Sequence, residues 1–194
     1  LISQGTIGRP LSFKVNWGEF LPGWHPWEDH RQSYAARQDL GGGVVLTLCH
    51  PLDYLRWLFG EVEALWAFTS VVPELETGVD AVAEIGLRMT AGISGTIHLD
   101  YIQRPGSHTV EITGTEGMLR WDNGTSVLKI YRSKDAIWQD INAPDGFERN
   151  YLFMDETAAF LKLIRGEIES PCTLEDGIRA LELTLAVHTS ARDG

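Results

Sequence analysis

With 194 residues, 43% of them hydrophobic, the chain is long enough to bury one sizeable core and is read as a single domain over 1–194. Its 27 acidic against 16 basic residues give a net charge of -11, and Lys and Arg are scattered singly, which argues against a nucleic-acid or membrane-surface partner. No apolar run approaches the roughly 18 residues of a membrane helix, and Cys49 and Cys172 have neither disulfide-framework nor metal-site spacing, so the expectation is a soluble, unexported, cytoplasmic protein with reduced thiols.

Residues 1–9, LISQGTIGR, read as the tail of a helix, a glycine stop and a turn, so they are expected to be the remnant of a link from an upstream domain. From Leu11 to Trp17 the pattern LSFKVNW alternates, with Leu11, Phe13, Val15 and Trp17 on one face, which predicts a strand with one dry side. Residues 20–40, FLPGWHPWEDHRQSYAARQDL, show no clean periodicity and predict a long, partly ordered loop, the kind of segment that tends to carry function.

The stretch GGGVVLTLCHPLDYLRWLFG, residues 41–60, comes next. Its glycines permit close backbone approach, and VVLTLC is apolar on every side, which predicts a short buried helix and leaves a buried strand open. Pro51 then marks a kink or restart, and Leu52, Leu55, Leu58 and Phe59 form an apolar stripe that Gly60 ends. Strands are predicted over 61–70, 80–89, 92–101, 108–114, 117–122 and 126–132, joined as hairpins, with Asn123-Gly124 the strongest turn signal. Two helices close the chain. The first spans NYLFMDETAAFLKLIRG, with Phe153, Ala158, Phe160, Leu161 and Ile164 for apolar contact, and the second begins at Thr173 with Asp176 as its capping-box partner. This order predicts an α+β fold, a largely antiparallel open sheet with helices packed on one face.

The chemistry-bearing residues are few. His25, His30, His50 and Asp53 lack the short spacings of a metal site, so no metal is expected. Cys49 and His50, as helix neighbours, point about 100 degrees apart and do not make a nucleophile pair. Asn123-Gly124-Thr125 matches a glycosylation acceptor and is read as a turn. The triple glycine does not follow a strand and lacks the third glycine of a phosphate loop, so the dinucleotide-binding fold is absent from this chain. His50 remains, either a core histidine or a proton-transfer group, since its ordinary pKa of about 6.5 lies near neutrality. Asp53, three residues on, and Thr47, three before, are expected on the same helical face.

GGGVVLTLCHPLDYLRWLFGEV resembles the corresponding helix of the glucose-fructose oxidoreductase, inositol dehydrogenase and MocA-type (Gfo/Idh/MocA) superfamily: a glycine run, apolar residues, His with Asp three later, then Arg-Trp-Leu and Gly. LISQGTIGRPLSF is similar to that family's crossover into its first sheet strand, WHPWEDHRQSYAARQDLGGG to the loop of its sugar-biosynthesis members, YIQRPGSHTVEITGTEGMLRWD to a sheet segment, and TLEDGIRALELTLAVHTSA to its closing helix.

The resemblance implies the C-terminal substrate-binding and dimerisation half of an NAD- or NADP-dependent dehydrogenase whose Rossmann domain lies elsewhere, with the cofactor held mainly by that domain and none bound tightly here. It implies His50 as the group that takes a proton from a hydroxyl of a sugar or nucleotide sugar, and a homodimer through the sheet. Trp24, His25, Arg31, Tyr34 and Arg37 in the loop, Thr47, and Tyr101, Gln103 and Arg104 on the sheet are the expected substrate contacts. Two departures stand out: the family's Glu-Lys-Pro lysine is not in these residues, and Thr47 stands where the family usually has a carboxylate. The competing reading is a sugar-binding or dimerisation module without redox activity. A hydrolase using His50 with Asp53 ranks last, for want of a nucleophile.

Overall fold

The computed structural model describes residues 1–193. The alternating segments form eight strands: β1 (Pro10–Gly18), β2 (Val62–Ser70), β3 (Val82–Met89), β4 (Ser94–Asp100), β5 (Ser107–Gly114), β6 (Gly117–Asp122), β7 (Val127–Arg132) and β8 (Ile137–Asn142). They make one open sheet in the order β2-β3-β4-β1-β5-β6-β7-β8. The hairpins β2–β3, β3–β4, β5–β6 and β6–β7 follow the pattern in the sequence. Two features do not. β1 inserts between β4 and β5, parallel to β4 and antiparallel to β5, so the first strand becomes a central one. β8 pairs with β7 at the edge, and because all six of its residues are exposed it has no dry face to announce it in the sequence.

The four helices are α1 (Val44–Thr47), α2 (His50–Phe59), α3 (Asn150–Ile164) and α4 (Leu174–Asp193). Helices α1 and α2 cover one sheet face with Val44, Val45, Leu52 and Leu55, which meet Phe13, Val15, Ile85, Ile97 and Leu99 in a single core. Each such side chain contributes about 1.5–3 kcal/mol by leaving water. Leu11 and Trp17 depart from the expected dry side, since Leu11 is exposed and Trp17 only partly buried. α4 lies over β2 and α2, starts with the expected reciprocal bonds between Thr173 and Asp176, and is tied to α2 by Arg56, whose guanidinium donates to the Asp176 carboxylate at 2.9 Å. α3 buries no side chain: Phe153, Phe160 and Ile164, expected to supply apolar contact, are exposed because no layer of the described residues covers them.

The β6–β7 connection runs through Asn123 and Gly124, and its left-handed residue is Ser126, at φ 54°, not the glycine.

The sheet face away from the helices carries an ionic cluster. His98 on β4 bonds Glu84 of β3 through Nδ1 at 2.6 Å and Asp100 of its own strand through Nε2 at 2.9 Å, with Asn16 of β1 as its cross-strand neighbour. The hydrogen bond to Asp100, helped by Glu84 and opposed by burial, holds the His98 pKa at about 8, above the ordinary 6.5. A histidine pKa raised by folding stabilises the folded state fully below the unfolded value and loses that contribution as pH climbs through the folded one. Resistance to urea is therefore expected to fall between pH 6.5 and about 8, and His98→Gln to flatten that part of the profile. Identical slopes in the two proteins would remove His98 as the cause.

Candidate functional site

Local geometry places His50. The Gly42 N–H donates to the Arg37 carbonyl at 2.8 Å, and a side chain at Gly42 or Gly43 would collide with the Tyr34 and Arg37 backbone or with the Asp80 carboxylate. The triple glycine is thus a close-packing device that seats the 20–40 loop on the start of α1. Asp80 holds that start, accepting from Val44 N–H through its carbonyl at 2.8 Å and from Val45 N–H through its carboxylate at 3.0 Å. After one turn the chain leaves helical geometry at Leu48 (φ -102°, ψ 35°), and α2 restarts at His50 with Pro51 in its first turn, where a missing N–H costs nothing. The break separates Thr47 from His50, so the shared helical face expected of them does not exist.

The exposed His50 ring lies on a cavity of about 870 Å³. Tyr54, one turn further along α2, reaches the same cavity. Trp17 from β1, His108 from β5 and Trp121 from β6 form an aromatic wall, and Val110, Ile112, Leu119 and Leu128 supply an aliphatic floor. Trp17 stacks on His108 with ring centres 4.1 Å apart and planes 3° apart, and on His50 at 5.5 Å; Trp121 meets His108 edge-on at 5.0 Å. The Tyr54 hydroxyl and His108 Nε2 share a hydrogen bond of 3.2 Å. Burial, with the nearby His50 adding to it, holds the His108 pKa down at about 4, so its ring is neutral at pH 7; burial also pushes the Tyr54 phenol up.

The other expected contacts fall elsewhere. The 20–40 segment is a chain of short 3-10 turns. Trp24, His25 and Tyr34 line a separate cleft of about 280 Å³, where His25 bonds Glu28 at 2.6 Å. Arg31 is bound by Asp29 and Glu76, Arg37 by Asp39, and Arg104 lies over the Phe20 ring at 3.8 Å. Tyr101 is fully buried with Trp24 edge-on to it, and its hydroxyl donates to the Ala35 carbonyl at 3.5 Å. Thr47 sits beside that hydroxyl, its own oxygen buried and without a hydrogen-bond partner. The Gln103 side chain accepts from Asn16 at 3.4 Å. Asp53 turns to a different cleft, with Arg56, Cys172 and Asp176. Among the described residues no three His, Cys, Asp or Glu side chains converge on a point that could hold a metal ion.

Of the residues around His50, Tyr54 was reachable from the sequence by its four-residue spacing. Trp17, His108 and Trp121 were not, since only the registers Trp17↔His108 and Val110↔Trp121 bring them to one wall.

A profile of the GFO/IDH/MocA C-terminal domain matches residues 1–120. The 1,5-anhydro-D-fructose reductase of Ensifer adhaerens is 28% identical over 204 residues, covering 100% of this chain and 57% of the reductase. The chain thus spans little more than half of that relative. Among solved structures, levoglucosan dehydrogenase in complex with NADH superposes with a TM-score of 0.86 at 20% identity, over 99% of this chain and 59% of its own. The WlbA dehydrogenase from Bordetella pertussis, in complex with NADH and UDP-GlcNAcA, superposes at 0.75 and 25% identity, over 100% of this chain and 56% of its own. The first of these likenesses speaks for the fold.

Proposed function

The chain belongs to the family of GFO/IDH/MocA C-terminal domains, and from that premise we propose that it is the substrate-binding half of an NAD- or NADP-dependent oxidoreductase acting on a hydroxyl of a sugar or nucleotide sugar. The observation that carries this reading is the exposed His50 ring at an aromatic-walled cavity. A relative that is a sugar reductase and a structural neighbour that holds NADH and a nucleotide sugar support it.

His50 takes the proton of the reacting hydroxyl, which requires the hydroxyl oxygen about 3 Å from a ring nitrogen. The imidazolium that forms lies 5.5 Å from the Trp17 ring centre, within reach of cation–π stabilisation. The aromatic wall suits the apolar face of a pyranose ring, and the aliphatic floor keeps water away from the reacting carbon.

The residues present do not fit a whole dinucleotide: the glycine run is filled by the protein's own loop backbone and Asp80, and among the described residues no Lys or Arg lines the cavity. The phosphates and riboses are therefore assigned to a part of the longer protein outside this chain. The cofactor, when bound, supplies the hydride acceptor.

A homodimer through the sheet is part of the same reading. Trp66 and Phe68, 49% and 66% exposed, stand on the face that no helix covers, an arrangement that favours burial against a second copy. Light scattering is expected to return twice the protomer mass and Trp66→Glu to halve it; a monomeric parent protein would refute the dimer. The unpaired Cys49 and Cys172 support a cytoplasmic setting. The test of the catalytic reading is sugar-dependent reduction of NAD+ or NADP+ by the longer polypeptide, with His50→Ala as its control.

A further inference from the structure

Resting on that reading, we propose that His108 is a second substrate-contacting residue, whose ring binds an uncharged hydroxyl of the sugar whose reacting hydroxyl meets His50, and that the sugar ring accepted there carries no ionised group.

Position is the first argument. His108 lines the His50 cavity and also a smaller cleft with Phe20, Trp24 and Asn123, so a ligand extending from His50 towards the 20–40 loop passes over it. Its ring is fixed before any ligand arrives: stacked on Trp17, met edge-on by Trp121, and bonded at Nε2 to Tyr54. Such fixing lowers the ordering cost of binding. Among the described residues Nδ1 has no hydrogen-bond partner, which leaves one polar atom of a half-buried ring for a ligand. If the Tyr54 hydroxyl donates to Nε2, Nδ1 carries the proton and donates; in the other tautomer it accepts. A sugar hydroxyl satisfies either, because it both donates and accepts.

Charge is the second. Among the described residues no Lys, Arg, Asp or Glu lines the cavity, and burial keeps His108 itself neutral. The guanidinium groups of Arg31 and Arg37 are already held by carboxylates. A carboxylate or phosphate on the ring beside His50 would lose its water with no fixed counter-charge in these walls, whereas a neutral ring loses little. A charged handle elsewhere on the substrate, such as a nucleotide, is not affected by this argument.

The test uses the longer polypeptide with NADH bound and its histidine rings labelled with 15N, titrated with D-glucose, D-galactose and D-mannose and with the matching uronates. The neutral sugars are expected to move the His50 and His108 ring signals together, and the uronates at equal concentration to move neither. His108→Phe, which keeps the stack on Trp17, should weaken binding of the neutral sugars by about tenfold, and His108→Gln by less. Matched thermal midpoints would show that both variants fold. A sugar that moves His50 without His108, an unchanged affinity in His108→Phe, or uronates that bind as well as their neutral partners would each overturn the inference and leave the substrate-site reading standing. Silence at both histidines with every sugar would take down that reading and this inference with it.

Discussion

His50→Ala in the longer, cofactor-bearing protein proposed above is expected to lower kcat by about a hundredfold or more, with cofactor affinity within about threefold of wild type. The factor follows from the role. A positioned general base contributes about 10²–10⁴ to a proton transfer, and alanine leaves water as the only acceptor. Folding should be spared, because His50 is exposed and is the first residue of α2, so truncating it opens no core cavity. His50→Gln keeps a hydrogen-bonding group for the substrate hydroxyl and cannot be protonated, so it should retain KM better than alanine while losing kcat. Steady-state kinetics with a cofactor titration decides the matter. Unchanged turnover in His50→Ala would remove His50 from the mechanism.

The second large effect is expected in the glycine run. A Cβ at Gly42 would lie 2.5 Å from the Tyr34 carbonyl oxygen and 2.7 Å from the Arg37 nitrogen and oxygen, all backbone atoms that cannot swing aside. Gly42→Ala should therefore cost about 2–3 kcal/mol, in the range of overpacked interiors. Gly41 is a different case: nothing lies within 4 Å of its Cβ position, but its φ is 77°, so Gly41→Ala carries only the left-handed backbone penalty of about 1 kcal/mol. Urea midpoints of the two variants, and protease sensitivity of the 20–40 segment, separate the effects. Equal losses would mean that close approach at Gly42 does not hold the loop. A larger loss at Gly42, with cleavage in the loop, would tie these glycines to the shape of the clefts around Trp24 and Tyr34.

Much of the architecture is written locally. Alternation of apolar and polar residues marks seven of the eight strands, the Thr173-Asp176 pair marks the start of α4, and the Leu52, Leu55 and Phe59 stripe marks the buried side of α2. His50 could be singled out because one titratable ring follows an apolar run and precedes a helix-starting proline. β8 escaped because an edge strand exposed on every residue carries no alternation, and α3, found where it was expected, lacks the expected burial because an apolar stripe in a sequence says nothing about whether a layer lies against it.

The sequence by itself determined the elements other than β8, the fold class and the histidine, since helix and strand periodicity and caps act over a few residues. Only the tertiary structure decided that β1 enters the sheet beside β4 and β5, that Trp17, His108 and Trp121 share a wall with His50, and that Thr47 faces Tyr101 instead. Those outcomes depend on pairing register between segments nearly a hundred residues apart and on a helix break that frees His50 from the face of Thr47. Cross-strand contact is fixed by the packing of the whole sheet, and no local pattern along the chain encodes it.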